Sequence, residues 1–363
     1  MMAPEKHEFK PDYAIPPGEI LAEMLEVRGI KKAEFAERCG RPAKTISGIL
    51  NGHIAITPET AIQFERVLGT AASLWTNLEA RYRLRLAERE ANHLSDEQIE
   101  WARTFPIAKL VQHGAFPKPA SRSERVRSLL EFFGVASVDA WNLWFEKQSA
   151  AYRRSRSFQS AGAAVAAWLR MGERAAEAVE CHPFDRAGFI EALKSTRKLT
   201  TRPVPEWYPG MRDRCAKAGV AVVLIKELPS TRLSGAARWI TKDKALIQLS
   251  LRHRSDDHFW FSFFHEAGHI LLHGKKQLFL DDVSGMTGAD EEEADRFAGD
   301  FLIAAAAFGE FRETGDFGAS AIQAFAKSQG IAAGIVVGRL QHEELVEYRW
   351  HNALKVRLKW AGE

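Results

Sequence analysis

His265 and His269 stand four residues apart in the run Phe263-Phe264-His265-Glu266-Ala267-Gly268-His269-Ile270-Leu271-Leu272-His273. Four residues make about one helical turn, so on an α-helix both imidazoles leave the same face and can share one metal ion. Glu266 lies about 100° further round the helix, beside such an ion and not as a third ligand. There its carboxylate can take a proton from a water, which is general-base chemistry. A zinc site that does chemistry takes three protein ligands and keeps a fourth position open. A third His six residues further on is absent, because Leu272 and Lys275 stand where that pattern has its Gly and His. The other common third ligand is a carboxylate, and Asp290-Glu291-Glu292-Glu293-Ala294-Asp295 offers several. Glu291 is the first choice and Glu292 the alternative. Asp295, one turn on, has the offset to accept a hydrogen bond from the other ring nitrogen of a liganding His. Taken alone, the same acidic run reads as a solvated helix N-terminus favoured by the macrodipole.

These residues need elements to hold them. Trp260, Phe263, Phe264, Ala267, Ile270 and Leu271 recur at steps of three and four. That spacing predicts an amphipathic helix with its apolar stripe opposite the histidines, stopped by Gly274. Asp290 and Glu293 form a capping-box pattern that opens a second helix, with Ala294, Phe297, Ala298, Phe301 and Leu302 facing inward. Ahead of both, 219–225 reads as a buried strand. The stretches 235–240 and 245–250 read as two more strands, joined by a turn at 241–244. An exposed strand beside such a cleft could pair with an extended peptide. A helical pair, 322–327 and 332–341, closes this region.

The His-Glu-x-x-His run together with Glu291-x-x-Ala294-Asp295-x-Phe297-Ala298 resembles the ImmA/IrrE family of metallopeptidases over about residues 215–345. The resemblance implies zinc on His265, His269 and Glu291, with Glu266 as the base. It also implies peptide hydrolysis, often of a repressor. The family usually has a Pro stop after the second helix, whereas this chain runs Phe301-Leu302-Ile303-Ala304-Ala305.

The other end of the chain has a different pattern. Residues 16–90 read as five consecutive helices. Pro16-Pro17 opens the first, Gly40 makes a tight turn between the second and third, and Thr57-Pro58 starts the fourth. Two short helices around a Gly-containing turn suggest a helix-turn-helix, whose second helix enters the major groove. Ile46, Ile49 and Leu50 would then face the core, and Lys44, Thr45 and Ser47 the DNA, with Lys32 and Arg41 of the nearby basic cluster as further DNA-binding residues. A plain helical bundle used for dimer contacts has the same pattern. Pro17-Gly18-Glu19-Ile20-Leu21, Thr45-Ile46-Ser47, Asn51-Gly52 and Ile56-Thr57-Pro58-Glu59-Thr60-Ala61 resemble the HigA antitoxin branch of the Xre-type helix-turn-helix family. This resemblance implies binding of double-stranded operator DNA as a homodimer, and in many members a toxin partner.

Between the two ends, 91–200 reads as helical, with aromatic stripes that suit a core. The run Tyr152-Arg153-Arg154-Ser155-Arg156 reads as a solvated basic helix end. At 363 residues, with 46% hydrophobic and 27% charged residues, the chain has the composition of an ordinary soluble protein of several domains. A formal charge of +3 argues for no partner by itself. Cys39, Cys181 and Cys215 are widely spaced and read as reduced thiols. No apolar run approaches a membrane span and Met1 to Lys10 is polar, so a cytoplasmic protein is expected. The expected fold is mainly α with a small β-sheet (α+β). It comprises a helix-turn-helix bundle at 1–90, a helical connector at 91–200 and a zincin-like domain at 201–363. The expected function is a DNA-binding regulator with a zinc endopeptidase domain that cleaves a partner repressor, a toxin or itself. The rivals are a non-catalytic repressor whose C-terminal domain senses a metal or ligand, and a small-molecule esterase or amidase.

Overall fold

A computed structural model describes residues 15–152, 156–274, 279–282 and 289–360. The polar opening at 1–10 and Arg153-Arg154-Ser155 of the basic run lie outside them. Contacts divide the chain into two units, Met1–Ser95 and Asp96–Glu363.

The first unit is all-helical: α1 (Pro17–Val27), α2 (Lys32–Arg38), α3 (Ala43–Leu50), α4 (Pro58–Leu68) and α5 (Ala72–Ala91). They enclose Leu21, Leu25, Phe35, Ile46, Ile49, Phe64 and Trp75. Pro17 and Pro58 sit in the first turns, where a missing N–H costs nothing. The Thr57 hydroxyl caps α4, accepting from the Thr60 N–H at 3.3 Å. Gly40, at φ +63°, supplies the left-handed turn between α2 and α3.

The second unit opens with α6 (Asp96–Arg103), α7 (Ile107–Gln112), α8 (Arg122–Phe133), α9 (Val138–Tyr152), α10 (Arg156–Glu177), α11 (Arg186–Arg197) and α12 (Val204–Ala216). Then come β1 (Val220–Leu224), β2 (Leu233–Thr241), β3 (Lys244–Leu249), α13 (Asp256–Leu272), β4 (Phe279–Asp282) and α14 (Ala289–Leu302). The unit ends with α15 (Ala305–Glu313), α16 (Ala319–Gln329) and α17 (Ala333–His342). The sheet order is β1-β3-β2-β4. β1 runs parallel to β3, with Val222 opposite Ile247. β2 is antiparallel to both neighbours, with Ala237 opposite Ile247 and Ala236 opposite Leu280. The fourth strand was not expected, since four residues give no alternation to read.

Residues 91–200 are not set apart as a connector. The second unit begins at Asp96, and α10 is bonded to the sheet. Gln248 Nε2 of β3 donates to the Trp168 carbonyl at 2.7 Å, and Arg238 Nη2 of β2 to the Leu169 carbonyl at 2.6 Å. These carbonyls lie in the helix interior, so each of these two buried strand side chains has a partner on α10.

α13 is more deeply buried than a one-sided stripe predicts. Every residue from Ser262 to Leu271 is buried, because β2 and β3, α14 and α17 all pack against the helix. The helix ends at Leu272, with His273 extended at φ −109° and donating to the His269 carbonyl, so Gly274 is not the stop. Its start is held by the far C-terminus. The Asp256 carboxylate accepts from the Val356 N–H at 2.9 Å, and Lys355 Nζ pairs with Asp257 at 2.6 Å. Burial pushes the Asp257 carboxyl up, but bonds from Lys355 and Ser255 outweigh it and leave it below the usual carboxylate range. Asp257 is 6% exposed, so Lys355→Met would leave a buried charge uncompensated. The expected cost at pH 7 is about 3–5 kcal/mol. A carboxylate held low stabilises above its unfolded value and loses that contribution as pH falls, so the penalty should shrink below about pH 4. Urea midpoints of both proteins across pH check this, and equal midpoints at pH 7 refute it.

α14 stops at Leu302 although it lacks the proline of the resembled family. Arginines satisfy its last carbonyls instead. Arg197 donates to the Leu302 carbonyl through Nε (2.9 Å) and Nη2 (2.6 Å), and Arg339 Nη1 donates to Gly299 and Ile303 (3.0 and 2.8 Å). Cations at a helix C-terminus serve both the orphan carbonyls and the macrodipole.

Candidate metal centre

α13 brings His265 and His269 to one side, their Nε2 atoms 2.9 Å apart. α14 approaches that side closely. A Cβ at Gly268 would meet Phe297 at 3.0 Å and the Ala294 backbone at 3.4 Å, so glycine there favours the close approach of the helices. Glu291, in the first turn of α14, thereby reaches both rings. Its Oε2 lies 3.2 Å from His265 Nε2 and 3.5 Å from His269 Nε2. Asp295, one turn on, meets His265 Nδ1 at 2.8 Å. With Nδ1–H donating to that carboxylate, His265 presents the Nε2 lone pair inward.

α14 begins at Ala289, so Asp290 lies inside the first turn and not at the expected cap position. Its carboxylate instead faces His273, with Oδ1 3.8 Å from Nε2, and Glu293 Oε2 lies 3.4 Å from the same nitrogen. His273 Nδ1 is 2.9 Å from His269 Nδ1. Sequence reasoning missed His273 as a partner of the site. The signal was available: it is the next residue at the four-residue spacing, on the same face.

The ionisation states suit a cation. Burial pushes His269 down to about 4. Burial pushes the Glu291 carboxyl up, but hydrogen bonds from His265 and His269 outweigh it and hold it down to about 2. At neutral pH the site therefore offers a neutral imidazole and an ionised carboxylate, the forms a metal requires. His265, His269 and Glu291 each offer one ligand atom, all within 4.8 Å of one another and sheltered from solvent. Two imidazoles and a carboxylate at this spacing fit zinc.

Glu266 is fully buried and is not one of those three. It lies beneath β2, where a Cβ on Gly235 would come within 2.5 Å of its Oε1 and 2.8 Å of its Cγ. Gly235 is a second residue that the sequence pattern did not single out, since a glycine within a strand signals close approach without naming its neighbour.

In the first unit, Lys32, Lys44 and Ser47 are exposed, and Thr45 and Arg41 are half-buried. Arg41 Nε donates to Gln63 Oε1 at 2.7 Å, so part of its guanidinium is already engaged within the unit. Ile46, Ile49 and Leu50 of α3 face the core.

Comparisons with known proteins match these two regions separately. Residues 21–75 match the helix-turn-helix family, and residues 216–325 match the IrrE N-terminal-like domain of the peptidase M78 family. The chain is 36% identical over 73 residues to the uncharacterized HTH-type transcriptional regulator YddM of Escherichia coli, covering 20% of this chain and 78% of that one. It is 33% identical over 97 residues to virulence-associated protein A of Dichelobacter nodosus, covering 26% and 91%. Among solved structures, a HigA-family addiction-module antidote protein of Coxiella burnetii aligns at 33% identity, covering 22% of this chain and 86% of that one, with a TM-score of 0.21. Pseudomonas aeruginosa antitoxin HigA, solved with the higBA promoter, aligns at 29% identity over 23% and 98%, also with a TM-score of 0.21.

Proposed function

Because the chain belongs to the Xre-type helix-turn-helix regulators and carries an IrrE N-terminal-like domain of the peptidase M78 family, we propose that it is a DNA-binding repressor whose second unit is a zinc-dependent endopeptidase acting on a regulatory protein. The observation that carries this reading is the convergence of His265, His269 and Glu291, with Glu266, next to His265 in the chain, a carboxylate outside the ligand set. An inert structural site has no use for that fourth group.

His265, His269 and Glu291 would hold the zinc, which would supply Lewis-acid polarisation of a peptide carbonyl. The protein's own groups do the rest. Asp295 fixes the His265 tautomer. Glu266 takes the proton of the attacking water and returns it to the leaving amine. The substrate is a partner repressor, a toxin or a second copy of this chain. The protein works as a homodimer in the cytoplasm, where its operator lies. Among the described residues, no helix is long and apolar enough to cross a membrane.

Gly235→Ala tests whether the position of Glu266 matters. The added Cβ must displace the carboxylate while leaving the three ligand atoms in place. Zinc content should match wild type, and turnover should fall about 10²-fold, the usual cost of misplacing a catalytic group by about 1 Å. Equal turnover would remove Glu266 from the chemistry.

DNA recognition is tested on α3. Thr45→Ala or Ser47→Ala should weaken operator binding by about 1–3 kcal/mol if the side chain reaches a base edge. Lys44→Ala should mainly flatten the salt dependence, by about one unit of slope. Gel-shift titrations at several salt concentrations read both effects. Unchanged affinity in all three variants would take α3 out of the interface.

The full burial of Glu266 supports a second reading, in which the second unit senses metal and does not turn over substrate. Glu266→Gln separates the two readings.

A further inference from the structure

A groove of about 460 Å³ opens in the second unit, lined on one side by α7 and on the other by the loops around β2 and α13. Five cations line it: Lys109, Lys226, Arg232, Arg252 and Arg254. Glu227 is the only carboxylate among the described lining residues. The whole chain carries a formal charge of only +3, so this concentration is local. Two of these cations bond neutral acceptors. Lys109 Nζ donates to Gln112 Oε1 at 2.9 Å, and Arg252 donates to the Arg232 carbonyl. Such bonds orient the cations without neutralising them, and a concave wall of one sign focuses its field on the groove.

Two further atoms in the lining point to a ligand. His113 Nδ1 and Glu227 Oε2 are buried, and neither has a hydrogen-bond partner among the described residues. Orphaned buried polar atoms are uncommon and call for a reason. Burial, with Lys226 and Lys109 beside it, pushes His113 below its ordinary range, so the ring is neutral at pH 7 and carries one N–H. With that proton on Nδ1, an oxyanion would satisfy it. Glu227 Oε2 requires the opposite, a hydroxyl or amino donor. The backbone is strained at the same place. Ser230, Arg232 and Arg254 adopt φ of 67°, 50° and 51°, a conformation that non-glycine residues rarely take and that clusters at binding sites. Trp360 completes the wall with an apolar surface, and Lys226 Nζ lies 5.6 Å from its ring centre.

We propose that this groove binds a small phosphorylated ligand that also carries hydroxyl or amino donors, the chemistry of a nucleotide. The cations and His113 take the phosphates, Glu227 takes a ligand donor, and Trp360 covers the apolar part. The volume suits a small molecule and not a length of polymer. The groove shares no residue with the metal site, so this inference stands apart from the peptidase reading.

The test titrates ATP, and separately inorganic tripolyphosphate, into the full-length chain by calorimetry at near-physiological salt. One ATP per chain is expected, bound more tightly than tripolyphosphate. The double variant Lys109→Gln/Arg232→Gln changes two exposed side chains and should keep the wild-type unfolding midpoint. It should weaken ATP at least about tenfold, the loss expected on removing charge-assisted hydrogen bonds. Glu227→Gln should bring ATP closer to tripolyphosphate. Absence of saturable ATP binding overturns the proposal, as does ATP binding indifferent to the double variant. Tripolyphosphate binding as tightly as ATP reduces the groove to an electrostatic patch and overturns it too. So does tighter binding of a single-stranded oligonucleotide or an oligoglutamate peptide that is lost in the same double variant, since the occupant would then be a macromolecule.

Discussion

Glu291→Gln is expected to lower zinc affinity by at least about 100-fold, the upper end of what losing an outer partner of a metal ligand costs. Glu291 Oε2 lies within 3.5 Å of both His Nε2 atoms, and its side chain is 14% exposed, so it is the carboxylate placed to complete the set. Glutamine keeps the shape and one carbonyl oxygen but removes the charge that balances the cation. The fold should survive, because a carboxylate in the first turn of a helix is worth only about 0.3–1 kcal/mol to it. Glu292→Gln is the matched control: it also removes a first-turn charge, but at an exposed position. Competition with a chromophoric chelator reads both affinities. If Glu291→Gln binds zinc like wild type and Glu292→Gln does not, the third ligand is the neighbour. If both bind like wild type, the carboxylate is not a ligand at all.

The contrast between Glu291 and Asp290 shows how far the sequence could be read. His265, His269, Glu291 and Asp295 lie on two helices whose periods are written in their own apolar residues, so faces and offsets could be read locally. Asp290 carried a capping pattern that the helix does not use: α14 begins at Ala289, and the Asp290 carboxylate lies 3.8 Å from His273. A helix boundary is the least legible feature of a sequence. Long-range pairing left no local trace either. Lys355 reaches Asp257 across 98 residues, and Gln248 reaches the Trp168 carbonyl across 80. Neither contact alters the hydrophobic period of its own segment. For the same reason the sequence places α10 in a connector: a helix that packs on a sheet and one that links two domains carry the same amphipathic pattern. The small sheet was legible as three segments and a turn. Its order was not, since the parallel pairing of β1 with β3 depends on what covers its faces.

Glu266→Gln should leave the metal, the fold and DNA binding intact while turnover falls by about 10²–10⁴-fold. Glutamine matches the volume of glutamate, which matters because the pocket beneath Gly235 leaves no slack: a Cβ there would already lie 2.5 Å from Oε1. The three ligand atoms belong to other side chains, so zinc content should equal that of wild type. Operator binding belongs to the helix-turn-helix at 21–75 and should not change. His265→Ala should behave differently, losing metal as well as turnover, because its Nε2 is one of the three converging atoms. The assay co-expresses each variant with the repressed promoter and with the neighbouring regulatory proteins, and follows cleavage of those proteins and of the chain itself. Loss of cleavage in Glu266→Gln with zinc retained supports the peptidase. If that variant represses and releases its promoter as wild type does, proteolysis has no part in the switch. The charge of the carboxylate beneath β2 would then be dispensable, and the second unit would be a sensor.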